Sequence, residues 1–547
     1  MYMKRVFVVL LCILLCTSTA LALLASCGTG GGGAGGAGGG SGAKNNTLFV
    51  VSDEDPGTCD VQKTTEYYNV PLNIFDRLVE CVTVDSKPQI VPGLAESWAV
   101  SDDGLVYTFK LRKNVKFHNG EVFKADDVVY TIERMMTAEN ETVNTDFFDM
   151  IAGAEDMFNE EADHVSGLNV VDDYTIEITL EYPFGAFIAN LATPPCSIYN
   201  RKACEEAGDD FGIDPGLTVG SGPFMLKDWV LNDKIVLETF KDYWRGASKL
   251  DGITIKNIPD HETQRMAFEK GEVDLFDASF AQSQVPYFRD SDKWKDKIIK
   301  VPEAGLRFYM FNVAYEPFDN INVRKAIAHA INRKQIVDSL FNGEGKVTNS
   351  MVVEGVLGYN PNLPDITYDP DLAREYLAKA GYTDGVKIEI IQISDSKAEL
   401  DMNIAVQSML KEVGIDMQIN QVDEATYYAT RAKGQLPFER QTWWVDYNDP
   451  DNFLYTYFSA KNTVYHSVNY YRQDFLDLLE AARKEVDNDK RLAMYQEAER
   501  ILIEEDQVII PIIQMEHIII LQDRVQNFVV SWNGWSDMMY YGIELKQ

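Results

Sequence analysis

The chain has 547 residues, 46% of them apolar, and its 85 acidic side chains against 50 basic ones give a formal net charge of −35. That length supports a large core and more than one domain. So acidic an exterior repels phosphate backbones and anionic lipid, which excludes nucleic acid as an expected partner.

Lys4 and Arg5 precede an uninterrupted apolar run from Val6 to Cys16, too short for a comfortable membrane span, and Leu24-Ala-Ser-Cys27 follows. A basic start, an apolar stretch and a small-residue cleavage site predict an export signal over residues 1–26. Leu24 to Cys27 resembles a bacterial lipobox, in which the cysteine is acylated, so Cys27 is expected to anchor the mature chain to the outer face of the cell membrane. The alternative is an ordinary signal whose cut falls beside a cysteine. Between Gly28 and Ala43 there are eleven glycines and no charge, so residues 27–45 read as an acylated cysteine and a coil-like tether spanning about 20–25 Å. Four cysteines remain: Cys59, Cys81, Cys196 and Cys204. In an oxidising compartment they permit disulfides, with Cys59–Cys81 and Cys196–Cys204 closing the shortest loops; buried free thiols are the alternative.

Beyond the tether, Thr47 to Ser52 reads as a buried strand and Pro71 to Val79 as a helix. Val106 to Arg112 alternates, with Tyr107, Phe109 and Leu111 on one face, and the turn signal Asp102-Asp-Gly104 precedes it. Ala125 to Met136 has helical spacing and Thr175 to Leu180 alternates again, so this third mixes helices with hairpins. Strands are expected at Phe224 to Trp229, Lys234 to Phe240 and Ile253 to Lys256, then a helix over Glu262 to Lys270. Asp369-Pro370 offers an N-cap with proline at N1, and Gly381 stands where a helix ends. Strand Val386 to Ile391, helix Asp401 to Val413 and strand Met417 to Val422 imply a sheet covered by helices. Helices Asp474 to Val486 and Lys490 to Asp506 precede the apolar run Val508 to Ile513.

Several blocks are more specific than periodicity. Pro92-Gly-Leu-Ala-Glu-Ser-Trp98, Tyr107-Thr-Phe-Lys-Leu-Arg112, Val115-Lys-Phe-His-Asn-Gly120, Ala125-Asp-Asp-Val-Val-Tyr130, Gly220-Ser-Gly-Pro-Phe224, Tyr243-Trp244, Gly271-Glu-Val-Asp274, Val323-Arg-Lys-Ala326 and the segment from Asp446 to Phe453 stand in one order along the chain. In that order they resemble the extracytoplasmic solute-binding proteins of peptide ABC importers, the oligopeptide- and dipeptide-binding family. The resemblance implies an α/β, two-lobed periplasmic-binding-protein-like fold of type II, with a hinged cleft and an extra subdomain. Lobe I would comprise residues 46–80, 216–304 and 511–547, the subdomain 81–215 would sit on it, and lobe II would span 305–510. It also implies a short peptide ligand, ABC permease subunits as partners, membrane contact through the lipid anchor, a monomer and no cofactor. Most of the signature residues read as structural: Trp98 and Phe117 as core, and Arg324 as the partner of a carboxylate.

The site implied by the resemblance lies in Trp443-Trp-Val-Asp-Tyr-Asn-Asp-Pro450, where Asp446 matches the aspartate that receives the ligand's α-ammonium group. A closed cleft must neutralise a desolvated ammonium, and a carboxylate at about 2.7–2.9 Å does so with direction. Asp449 reads as a turn cap before Pro450. Trp443 occupies the family's tryptophan position; Trp444 is a departure, which either fills a side-chain pocket or turns into the core. Across the cleft, Thr64 to Tyr67, with Thr65 and Tyr67 as candidate contacts, lines up with a stretch whose backbone pairs with peptide. Members of the superfamily also carry nickel chelates, haem and oligosaccharides. Six histidines with no close pair disfavour a direct metal site, while Trp443, Trp444, Trp532 and Trp535 could stack on sugar rings. A secreted hydrolase is the remaining alternative, but there is no Gly-x-Ser-x-Gly elbow, His-Glu-x-x-His pair or phosphate loop, and no enzymatic activity is expected.

Overall fold

The computed structural model describes residues 46–546, apart from 66, 85, 86, 395 and 534–537. The export signal, Cys27, the tether and Trp535 lie outside the described residues. Among these residues no helix is long and apolar enough to cross a membrane.

The architecture is mixed α/β and two-lobed. Thr47–Ser52 pairs in parallel with Gly252–Asn257, which continues antiparallel through Lys234–Thr239 to Phe224–Val230, giving a four-stranded sheet. A second, antiparallel sheet is ordered Ala95–Val100, Val106–Leu111, Thr175–Thr179, Leu168–Asp172. Its inward residues Tyr107, Phe109, Leu111, Ile176 and Ile178 join Val128, Ile132 and Met135 of the helix Ala125–Met135 in one apolar cluster. Further along, parallel strands Val386–Ile393 and Ile415–Val422 flank the helix Lys397–Glu412.

The longest strands, Ile298–Phe311 and Ile509–Leu521, run antiparallel side by side. At one end of the pair Leu275–Asp277 joins the edge; at the other Phe438–Trp444 does. The ladder is interrupted between Pro302 and Leu306, and again between Arg307 and Phe308. Pro511 lies opposite Phe308 beside that second irregularity, as a residue without an N–H to donate requires inside a sheet.

Local signals are confirmed where they are self-contained. The helix Pro370–Lys379 starts at Asp369, whose side chain accepts from the N–H groups of Asp371 and Leu372 at 3.1 and 2.9 Å. The expected helix from Pro71 to Val79 instead stops after one turn, Pro71–Ile74, and Val79–Val84 is a strand. The carbonyl of Ile74, which a continuing helix needs, accepts from the Gly222 N–H at 2.7 Å. The expected helix to Asp506 is two pieces, Asn488–Arg500 and a π turn over Ile501–Glu505.

The expected disulfides Cys59–Cys81 and Cys196–Cys204 are not formed in the structure. Cys59 and Cys204 belong to one apolar cluster, whereas Cys196 is in another and Cys81 packs against that second cluster, so neither expected partner is in place. Burial pushes the Cys196 thiol up to about 12 and raises those of Cys59 and Cys204 as well, which leaves little thiolate to react. Arg324 also departs from expectation. Its guanidinium donates to the backbone carbonyls of Phe318, Asp506 and Gln507 rather than to a carboxylate.

Candidate functional site

The strand Phe438–Trp444 carries the candidate segment in register, with Leu306 opposite Trp443 and Gly305 opposite Trp444. Side chains alternate along a strand, so the two indoles leave opposite faces. The Trp443 ring meets Tyr457 edge-on at 5.0 Å and 89°, and its buried Nε1 has no acceptor among the described residues. Trp444 is 39% exposed, donates its indole N–H to Glu303 and lies 6.4 Å from the Phe280 ring. It therefore caps a surface between strands instead of entering the core.

After Val445 the chain turns and the helix Asp451–Phe458 begins. Asp446 is tied to that helix reciprocally: its N–H donates to Asn452 Oδ1 at 2.8 Å, and Asn452 Nδ2 donates to Asp446 Oδ2 at 2.9 Å. Asn452 is buried, so the carboxylate has a fixed direction. Two neighbours are wholly structural. Asp449 makes a buried, two-pronged pair with Arg491 at 2.8 and 2.6 Å, so it does more than cap a turn. Asp451 accepts from the hydroxyls of Tyr447 and Tyr495 at 2.9 and 2.6 Å.

Asp446 faces two cavities. One holds about 1100 Å³ and is bounded by Trp443, Asp446, Asn452 and Tyr455 on one side and by Asp146, Asp149 and Tyr182 on the other. The second, of about 20 Å³, also touches Arg77, Cys81 and Trp532. Tyr67 lines a third, of about 170 Å³, with Phe280 and Asp277. The fold thus brings Trp443 and Asp446 to one cavity, while Tyr67 shares another with Phe280, whose ring lies beside Trp444. Tyr67 has a φ of +61°; Thr65 is exposed in the same loop.

The large cavity is walled by carboxylates. Asp146 is open to the cavity, yet desolvation by the protein crowded around it, then the neighbouring Asp149 charge, push its carboxyl up to about 6, and burial raises Asp149 too. Lys461 reaches across to Asp149 at 3.3 Å and Glu155 at 3.7 Å. Tyr447 and Phe184 meet edge-on at 6.4 Å over the same gap. None of Asp146, Lys461 or Arg483 is marked by a sequence motif. Only Arg483 leaves a trace, as a charge on the buried stripe of Phe475, Leu479 and Ala482.

Comparison with known proteins places this geometry. The family described as bacterial extracellular solute-binding proteins, family 5 (middle), matches residues 89–465. The dipeptide-binding protein of Escherichia coli is 28% identical over 463 residues, 80% of this chain and 83% of the relative. The heme-binding protein A of Haemophilus influenzae is 28% identical over 527 residues, 92% of this chain and 93% of the relative. In structure, the periplasmic binding protein DppA of Helicobacter pylori, solved with the peptide STSA, superposes with a TM-score of 0.76 at 27% identity, covering 92% of this chain and 98% of that one. This chain belongs to the bacterial extracellular solute-binding proteins of family 5, two-lobed transport proteins rather than enzymes.

Proposed function

We propose that this protein captures short peptides for an ABC importer, gripping the peptide's α-ammonium group with Asp446. The observation that carries the proposal is the locked Asp446 carboxylate, held by Asn452 and facing a cavity of about 1100 Å³. The relatives named for dipeptide binding and for a bound peptide support it. Thr65 and Tyr67 would meet the peptide backbone from the far side, and Trp443 and Trp444 would bound its side chains. No disulfide contributes.

The lobes would follow the expected division: residues 46–80, 216–304 and 511–547 in one, 81–215 as its subdomain and 305–510 in the other. The interruption between Pro302 and Leu306, where the long strands pass between two differently flanked halves of one sheet, is the natural hinge. Peptide would select the closed arrangement, and the permease would read that closure. Acylation at Cys27 would keep a monomeric receptor at the outer face of the membrane, where the tether gives it reach to the permease.

Calorimetry tests the ammonium grip. Asp446→Asn keeps the side chain's shape and removes its charge, and is expected to cost about 3–5 kcal/mol of tripeptide affinity. Acetylating the peptide's amino end should impose a similar loss on the wild-type protein and little further loss on the variant. Additive losses would mean that the two groups do not meet.

A further inference from the structure

The two longest strands pass from one apolar core to another. In Ile509–Leu521, Ile509, Ile513 and Met515 pack in the core that holds Phe308, whereas Ile519 packs with Ile253, and Ile518 and Ile520 pack with Phe268. The neighbouring strand changes over at the same level, from Ile299 and Val301 to Ala304 and Leu306. His517 and Glu303 stand at this changeover, and both are buried. Neither ring nitrogen of His517 has a hydrogen-bond partner among the described residues. An imidazole carries at least one N–H in either charge state, and leaving it unbonded in the interior is costly. Register sets a carboxylate on each side of the ring. Asp277 pairs with Ile519, and Val301 pairs with His517 itself; Asp277 and Glu303 are therefore diagonal neighbours of the ring on the two flanking strands, on one face of the sheet. Burial raises the Asp277 carboxyl, and of its charged neighbours His517 opposes that rise while Glu303 adds to it. Beyond them lie the Tyr540 phenol, near Asp277, and the Arg307 guanidinium, near Glu303. Glu516 leaves the opposite face and accepts from the Gly345 N–H at 3.1 Å.

We propose that His517 makes the hinge sensitive to protons: a proton on its ring bridges Asp277 and Glu303 and favours the closed arrangement, and its loss favours opening. This inference rests on the hinge placed between Pro302 and Leu306 in the reading above. Asp277 belongs to the strand on one side of that break, while Glu303 lies inside it and accepts the indole N–H of Trp444 from the other side. Bending there moves Glu303 relative to the ring. The structure, with Lys461 spanning the cleft to Asp149, holds the ring between both carboxylates. When the ring is charged, each carboxylate has a counterion across the strand. When it is neutral, two buried carboxylates face each other over an uncharged ring, and moving Glu303 away relieves their repulsion. The closed arrangement therefore holds the proton more tightly than the open one, so closure, and peptide affinity with it, weakens as pH rises. Histidine is the side chain whose ordinary charge change falls between about pH 5 and 8.

Calorimetry of trialanine binding to the full-length protein at about pH 5.5 and about pH 7.0 tests this, because the peptide's ammonium group stays largely charged over that range. Wild-type affinity should fall about three- to tenfold from the lower pH to the higher, and that of His517→Gln by about twofold or less. Asp146 and Glu499 change charge in the same range but do so in both proteins, so the difference between the two profiles reports the ring. Glu303→Gln removes the repulsion and leaves the ring; it should flatten the profile as well, and it decides the matter if His517→Gln does not fold. A wild-type affinity that does not change with pH, or a fall that survives in the folded variants, overturns the proposal. Small-angle scattering on the same samples separates this inference from the reading beneath it. If trialanine binds and shrinks the protein, yet with an affinity independent of pH, the hinge stands and this inference alone falls. If trialanine binds without any change in size, or does not bind, the hinge reading falls and this inference falls with it.

Discussion

Asp446 is oriented by its buried neighbour Asn452, and hydrogen bonds orient a buried carboxyl at Glu499 as well. That side chain is fully buried, and its Oε1 accepts from the Ser350 hydroxyl at 2.7 Å and from the N–H groups of Met351 and Val352 at 2.7 and 2.9 Å. Burial nevertheless dominates these bonds and pushes the carboxyl up to about 7. A folded-state pKa above the unfolded one gives stability that is present below the unfolded value of about 4.3 and lost as pH rises through the folded value. Glu499→Gln removes that loss. Chemical denaturation should therefore show the variant gaining on the wild type by roughly 2–3 kcal/mol between about pH 5 and about pH 8, and a difference independent of pH would contradict the assignment. At this scale Asp446 is legible in the sequence because its block is contiguous and its lock, Asn452, lies six residues on. Arg483 is not, because Tyr182 and Phe184 reach it from about three hundred residues away.

Elements follow the same divide between local and distant causes. The helix Pro370–Lys379 carries its own start, so its N-cap is readable from Asp369 and Pro370. The helix expected from Pro71 fails for a reason no window around Pro71 contains: the Gly220-Ser-Gly222 turn packs on its last carbonyl. A Cβ added at Gly220 would fall 2.0 Å from the Ile74 oxygen, and one at Gly222 would fall 2.6 Å from it. Gly220→Ala is therefore expected to cost about 1–3 kcal/mol in chemical denaturation, through the backbone shift that such overpacking forces. A neutral substitution would mean that the turn does not press on Ile74. The disulfide expectation fails similarly, since loop length along the chain says nothing about which apolar cluster each cysteine joins.

At the scale of the molecule, periodicity establishes helices and strands but not their division between lobes; the ordered motif blocks supply the architecture. What they leave out is how the lobes are joined. In the division proposed above one sheet would run through both, with Leu275–Asp277 on one half of the long strands and Phe438–Trp444 on the other, and the interruption at Pro302 between. Contacts over the cleft, from Lys461 to Asp149 and from Arg483 to Tyr182 and Phe184, are the ones a hinge motion there would make and break. An exposed pair such as Lys461 with Glu155 adds little by itself, so on the proposed reading the ligand would decide the balance between open and closed. The most direct test is a crystal structure of the protein with a bound tripeptide. The account predicts the peptide's amino nitrogen about 2.7–2.9 Å from the Asp446 carboxylate, inside a closed cleft; a peptide bound elsewhere, or an amino end facing solvent and out of reach of Asp446, would contradict it.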